Sequence, residues 1–144
     1  MADNFSAKDS TGTARLVRAK ERAGVLYQIF ERQPVSSYVN LDLDETGVSV
    51  LGSAAQVHNL QVFSSHVDPI YVKLYNKATA PTTGDTPIRV FEVMPANAPF
   101  LLDLDPAIDC PLGIGLRCTT GRAHNNNVGP ATDTCLVNLG YIAG

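Results

Sequence analysis

The chain predicts an all-β fold, an antiparallel β-sandwich or barrel, and three observations carry that expectation. Short segments rich in β-branched and aromatic residues recur at intervals of about ten residues, several of them alternate apolar with polar positions, and no stretch carries a convincing amphipathic helical stripe. The clearest alternation runs from residue 70 to 77. Tyr71, Lys73, Tyr75 and Lys77 fall on one side of an extended backbone and Ile70, Val72 and Leu74 on the other, the period of a half-buried strand. A turn holding Pro81, Gly84, Asp85 and Pro87 then leads into residues 88–94, which alternate again until Phe91 and Met94 break the rhythm.

Taken in order, residues 1–13 are small and polar around a lone Phe5 and read as an extended N-terminal arm that orders only against something else. Residues 14–23 are ambiguous. Thr13 offers a cap for a helix ending at Gly24, yet Leu16 and Val17 are the only large apolar residues there, so a strand or irregular arm is preferred. Residues 25–32 form a strand ended by Pro34, residues 36–43 a weaker one, and residues 48–51 a short one after the turn at 44–47. Residues 56–64 place Val57, Leu60, Val62 and Phe63 inward in two registers that a bulge near Asn59 reconciles. Further strands are expected at 100–104, between loops bearing Pro95, Pro99 and Pro106, and at 113–119 and 135–142. A loop rich in Gly and Asn, 120–134, joins the last two. The division expected is an arm over 1–24 and a sandwich body over 25–144, with contacts made by the long loops 78–86 and 120–134.

At 144 residues and 15.4 kDa the usual scaling gives about 7,000 Å² of folded surface against about 22,000 Å² unfolded, which suits one compact domain and not two. The composition, 44% hydrophobic and 17% charged, is globular. The net charge of −3 is unevenly spread. Residues 1–24 hold five cations (Lys8, Arg15, Arg18, Lys20, Arg22) against three anions, and the remainder six against eleven. The basic leading segment is either an arm that settles on an acidic neighbour or a solvated element with ordinary surface charge. The first residues lack a basic start followed by an apolar block, and no run of about 18 apolar residues occurs, so synthesis in the cytoplasm and no membrane partner are expected.

The residues offer little chemistry. Cys110, Cys118 and Cys135 are odd in number and not spaced as a zinc knuckle, so reduced, partly buried thiols are expected, with a Cys118–Cys135 disulfide left open. His58, His66 and His124 have no local motif that demands a triad and read as sheet-face or loop histidines. Asp42, Asp44 and Glu45, and again Asp103, Asp105 and Asp109, read as acidic turns in water. The first set lacks the glycine and distal Glu of a calcium loop, and the chain has no Trp to stack a sugar between paired carboxylates. No His-x-His pair supports a cupin metal site. Gly113 and Gly115 lack the following helix and Lys of a phosphate cradle and are expected to admit a close approach by another backbone or side chain. The acidic body argues against nucleic acid. No catalytic, cofactor-binding or metal-binding residues are therefore assigned, no cofactor is expected, and the chain is not read as an enzyme.

Several phrases nonetheless look familiar: the run from Tyr71 to Thr82, then Gly84-Asp-Thr-Pro-Ile88, Gly113-Ile-Gly-Leu-Arg-Cys-Thr-Thr-Gly121 and Val137-Asn-Leu-Gly-Tyr141. Together they resemble the small β-sandwich virion proteins of tailed bacteriophages, over about half the chain. Cys110-Pro111 departs from the longer apolar lead-in expected before the Gly-Ile-Gly strand. The resemblance implies a jelly-roll-like sandwich that acts as a capsid decoration or cement protein on the outside of the virion. Its partners would be the major capsid protein and further copies of itself, with Phe5, Lys8, Arg15, Arg18, Lys20 and Arg22 as the contacts. A neck or tail component, including a receptor- or glycan-binding tip, is the alternative.

Overall fold

Alternation, glycines and prolines place the strands, and the pairing between them decides the architecture. The computed structural model describes the backbone of residues 4–8, 14–22 and 25–29 and the whole of residues 35–95 and 99–144. Those residues hold strands and turns and no helix. The chain divides into two compact units, Met1–Gln33 and Pro34–Gly144, where its size alone suggested one domain.

In the first unit, β1 (Asn4–Lys8), β2 (Ala14–Arg22) and β3 (Val25–Ile29) form an antiparallel sheet in that order. Phe5 stands opposite Val17 and Lys8 opposite Ala14, while Lys20 faces Tyr27 and Arg22 faces Val25 across the other pair. The ambiguous segment is thus a strand. Residues 25–29, grouped with the body on sequence grounds, pair along β2, which moves the division from 24 to 33. The rest of the expected arm, residues 1–3, 9–13 and 23–24, and the expected strand end at 30–32 lie outside the described residues.

The second unit contains β4 (Ser36–Asn40), β5 (Val48–Leu51), β6 (Ala55–Ser64), β7 (Ile70–Asn76), β8 (Arg89–Val93), β9 (Phe100–Cys110), β10 (Ile114–Thr119) and β11 (Cys135–Ala143). They build two antiparallel four-stranded sheets, ordered β5-β10-β7-β8 and β4-β11-β6-β9. Successive strands change sheet at every connection except β7 to β8. Ile70, Val72, Leu74, Ile114, Leu116 and Cys118 from one sheet, and Val57, Leu60, Val62, Val137 and Leu139 from the other, share one buried core. This is a β-sandwich, held as such layers are by apolar side chains alternating inward from both sheets.

Local irregularities fall where the side chains require them. The pairing of β6 slips between Val57 and Asn59 against β9, and between Gly140 and Tyr141 against β11. This bulge at His58 lets Val57, Leu60 and Val62 all face the core, as the two registers demanded; Phe63 alone of the four faces outward. β9 runs on to Cys110 and takes in Pro106, which was expected to lie in a loop. As an edge strand β9 has one side unpaired, so a residue without an N–H is tolerated there.

Candidate functional site

The outward face of the β5-β10-β7-β8 sheet is the place where polar side chains gather. β7 sends Tyr71, Lys73 and Tyr75 to that face, and β10 sends Gly115, Arg117 and Thr119. The ladder sets Lys73 directly opposite Arg117 and Tyr75 opposite Gly115. The alternation predicted a solvated face here. Instead Lys73, Tyr75, Arg117 and Thr119 are buried to within about one per cent, because two loops lie over the sheet.

Loop 120–134 supplies one cover. The Lys73 ammonium donates to the Ala123 carbonyl at 2.6 Å, the Arg117 Nη2 to Asn127 Oδ1 at 2.8 Å, and the Thr119 hydroxyl to the Gly121 carbonyl at 2.8 Å. The Arg117 Nε also donates to the Glu45 carbonyl at 2.7 Å, tying the 41–47 turn to the same guanidinium. Loop 77–87 supplies the second. Pro81 is buried against Gly47 and Gly115, and a Cβ on Gly115 would come within 2.9 Å of the Pro81 ring. Gly113, at φ 144°, lies so close to the Leu51 carbonyl that a Cβ would sit 2.5 Å from it. The two glycines do admit close neighbours.

The electrostatics of this layer are those of buried cations without anions. Among the described residues neither Lys73 nor Arg117 pairs with a carboxylate; the ion pair nearby is Lys77 with Asp85 at 2.5 Å. Burial first, and the adjacent Arg117 second, lower the pKa of Lys73. Burial raises that of Tyr75, and the neighbouring guanidinium opposes the rise. Arg117 Nη1 and the Tyr75 hydroxyl are both buried with no hydrogen-bond partner. A layer rich in donors and poor in acceptors pins loops to a sheet through their carbonyls. It presents no nucleophile and no proton acceptor poised toward solvent.

The other candidates are also committed to structure. Asp42 Oδ1 accepts from the Asp133 amide at 2.7 Å, Asp44 Oδ1 from the Thr46 amide at 2.7 Å, and Asp109 from Gln56 at 2.7 Å. No group of three or more His, Cys, Asp or Glu among the described residues is arranged to hold a metal. Cys110, Cys118 and Cys135 are free and fully buried. Burial pushes the Cys110 thiol up to about 11, and a hydrogen bond with Cys135 followed by burial pushes Cys118 up as well. Protonated, buried thiols are poor nucleophiles. His66 ties its own turn through Asp68, and the Nε2 of His58 is buried in the bulge without a partner.

The six residues expected as contacts all lie in the first unit. Phe5 and Lys8 are on β1, and Arg15, Arg18, Lys20 and Arg22 on β2. By register Lys8, Arg18, Lys20 and Arg22 share one face of that sheet, and Phe5 and Arg15 take the other. Sequence reasoning missed the sealed layer. Its signals were Gly115 within a strand and a fifteen-residue loop, 120–134, with no apolar run of its own. No family model, curated protein or solved structure matches the chain.

Proposed function

We propose that this chain is a structural virion protein of a tailed bacteriophage, a decoration or cement protein that binds the outside of the assembled capsid. The observation that carries the reading is the order of the eight strands of the second unit. β4-β11-β6-β9 facing β5-β10-β7-β8 supports a jelly roll, the double Greek key used by viral capsid and lectin domains. Fold alone does not choose a function. The phrases from Tyr71 to Tyr141 that resemble small phage virion proteins narrow the choice, and the role is structural rather than catalytic.

The first unit supplies the reach. A sheet within 33 residues is below the roughly 40 residues at which a chain buries enough surface to stand alone without staples, and a three-stranded sheet of this kind gains stability by packing on a neighbour. Its cations on β2 suit an acidic capsid surface. A ligand that binds only the assembled shell stabilises it by mass action, and symmetry-related copies multiply the effect. Purified protein added to shells lacking it should bind and raise their melting temperature, at hundreds of copies per particle. Failure to bind removes the reading, and a copy number of about a dozen or fewer assigns the chain to the neck or tail.

A further inference from the structure

We infer that Cys118 and Cys135 are a redox pair, able to close a disulfide that fastens the base of loop 120–134 and ties the two sheets together. Cys118 lies on β10 and Cys135 opens β11, each an interior strand of its own sheet. Both side chains are fully buried in the core that the sheets share. One dipeptide holds the two backbones. The Leu43 amide donates to the Cys135 carbonyl at 2.9 Å, and the Cys118 amide donates to the Asp44 carbonyl at 2.7 Å. Successive Cα atoms stand only about 3.8 Å apart, so this turn draws the two strands together across the sandwich. The side chains complete the approach, with Cys118 and Cys135 in hydrogen-bond contact. Cys110 differs. It is on the edge strand β9, opposite Ala55, and the neighbour that acts on its thiol is Asp109.

A buried cysteine is often no more than a small apolar filler. Here the two thiols touch, and they bracket the sixteen residues that roof the polar layer. That roof has no apolar run of its own and is held through Ala123, Gly121 and Asn127 by hydrogen bonds from Lys73, Thr119 and Arg117. A covalent bond at its base supplies the anchor it lacks. The oxidant is a small-molecule disulfide such as oxidised glutathione. The thiolate of one cysteine attacks a glutathione sulfur, forming a mixed disulfide and releasing one glutathione thiolate. The second cysteine's thiolate then attacks the protein sulfur of that mixed disulfide and releases the other. The two cysteine protons end on the released glutathiones, and the protein has given up two electrons. Burial shields both thiols, so exchange waits on opening of the loop base, where Leu43, Asp44 and the Ser65 amide on the Thr134 carbonyl hold it closed. Once formed, the bond is sheltered from reductant in the same way. Thiols stay reduced in a cytosol and oxidise outside it, so the pair responds to the compartment the chain is in.

Neither the pair nor its test depends on the capsid reading. The reduced full chain, treated with oxidised glutathione at mildly alkaline pH, should lose the mass of two hydrogens, slowly when folded and quickly when refolding from denaturant. Peptide mapping without reductant should join the peptides that carry Cys118 and Cys135. Cys110→Ala should form the same bond, and Cys118→Ala should not. The oxidised chain should melt roughly 5–10 °C above the reduced one, the effect of closing a loop of this length. If Cys118→Ala does not fold, the mass and map of the wild type still decide. Three titratable thiols after refolding in oxidised glutathione, when burial gives no protection, overturn the inference. So does a bond that uses Cys110, or glutathione retained on Cys118 or Cys135 without closure. An oxidised chain that melts at or below the reduced one also overturns it, because the bond then strains the sheets instead of fastening them.

Discussion

The two sheets of the second unit share a core but treat their outward faces in opposite ways. One bears Lys73, Arg117 and Tyr75, the most polar set in the sandwich, and buries them beneath its own loops. The other bears Val39, Phe63 and Leu101, and the sandwich itself leaves them uncovered. Hydropathy alone would assign the exposures the other way round. Polar groups that serve structure are covered, because a hydrogen bond to a loop carbonyl gains from a low local dielectric. Apolar groups clustered on an exposed face have the composition that contact surfaces use.

Truncation on the covered face should have the largest effect. Arg117→Ala removes the donor to the Glu45 carbonyl and to Asn127 and opens a cavity beneath two loops, a loss of about 2–5 kcal/mol, as for other large buried side chains truncated to alanine, with two acceptors left unpaired. Lys73→Met tests the same layer from the opposite side. Among the described residues its ammonium makes one hydrogen bond and no ion pair, so an apolar isostere should leave stability unchanged or raise it by about 1 kcal/mol or more. Chemical denaturation of both variants measures the difference. Equal losses would mean that the two cations act alike, and would erase the distinction between the pinning guanidinium and its neighbour.

The cover itself can be lifted at Gly115. A Cβ there meets the Pro81 ring at 2.9 Å, and the branches of a valine would drive loop 77–87 off β10. Overpacking of this kind costs typically about 1–3 kcal/mol. Gly115→Val should also raise amide exchange along β10 and loop 77–87 while leaving β6 and β11 protected. Uniform loss of protection across both sheets would show that the loop is not a separable cover.

What the sequence made legible follows the same division. The inward alternations of β6, β7 and β11 reveal the sandwich, and Gly113 and Gly115 reveal that something approaches β10, because these patterns depend on near neighbours in the chain or on backbone space. The burial of Lys73 was hidden. Its cover comes from Ala123, fifty residues away, and period-two alternation cannot distinguish a solvated polar face from one roofed by a distant loop. Pro106 within β9 was hidden for a related reason, since only the sheet order shows that the strand is an edge.

Loop 77–87 is also held by Asp85, and this gives the covered face a pH dependence. Asp85 accepts from Lys77, from the Thr82 amide at 2.6 Å and from the Thr82 hydroxyl at 3.0 Å. The Lys77 hydrogen bond, then the Thr82 amide, pull its carboxyl from an ordinary 3.8 to about 2. The folded state therefore binds fewer protons than the unfolded chain between those values. The stabilisation is present above about pH 4 and is lost as pH falls toward 2. Asp85→Asn should flatten that acid limb in melting curves taken from pH 5 to pH 2. An unchanged limb would place the acid sensitivity elsewhere.

The smallest effect on intrinsic stability belongs to the bare face, and its smallness is informative. Leu101 is two-thirds exposed on an edge strand, so in the monomer Leu101→Lys removes little packing and adds a charge where edge strands commonly carry one. Surface changes of this kind stay within about 0.5 kcal/mol. The melting temperature of Leu101→Lys should therefore stay within about 3 °C of the wild type. If the two differ by more than that, Leu101 supports the fold of its own chain, and the contrast between a covered face and an exposed one fails at that residue.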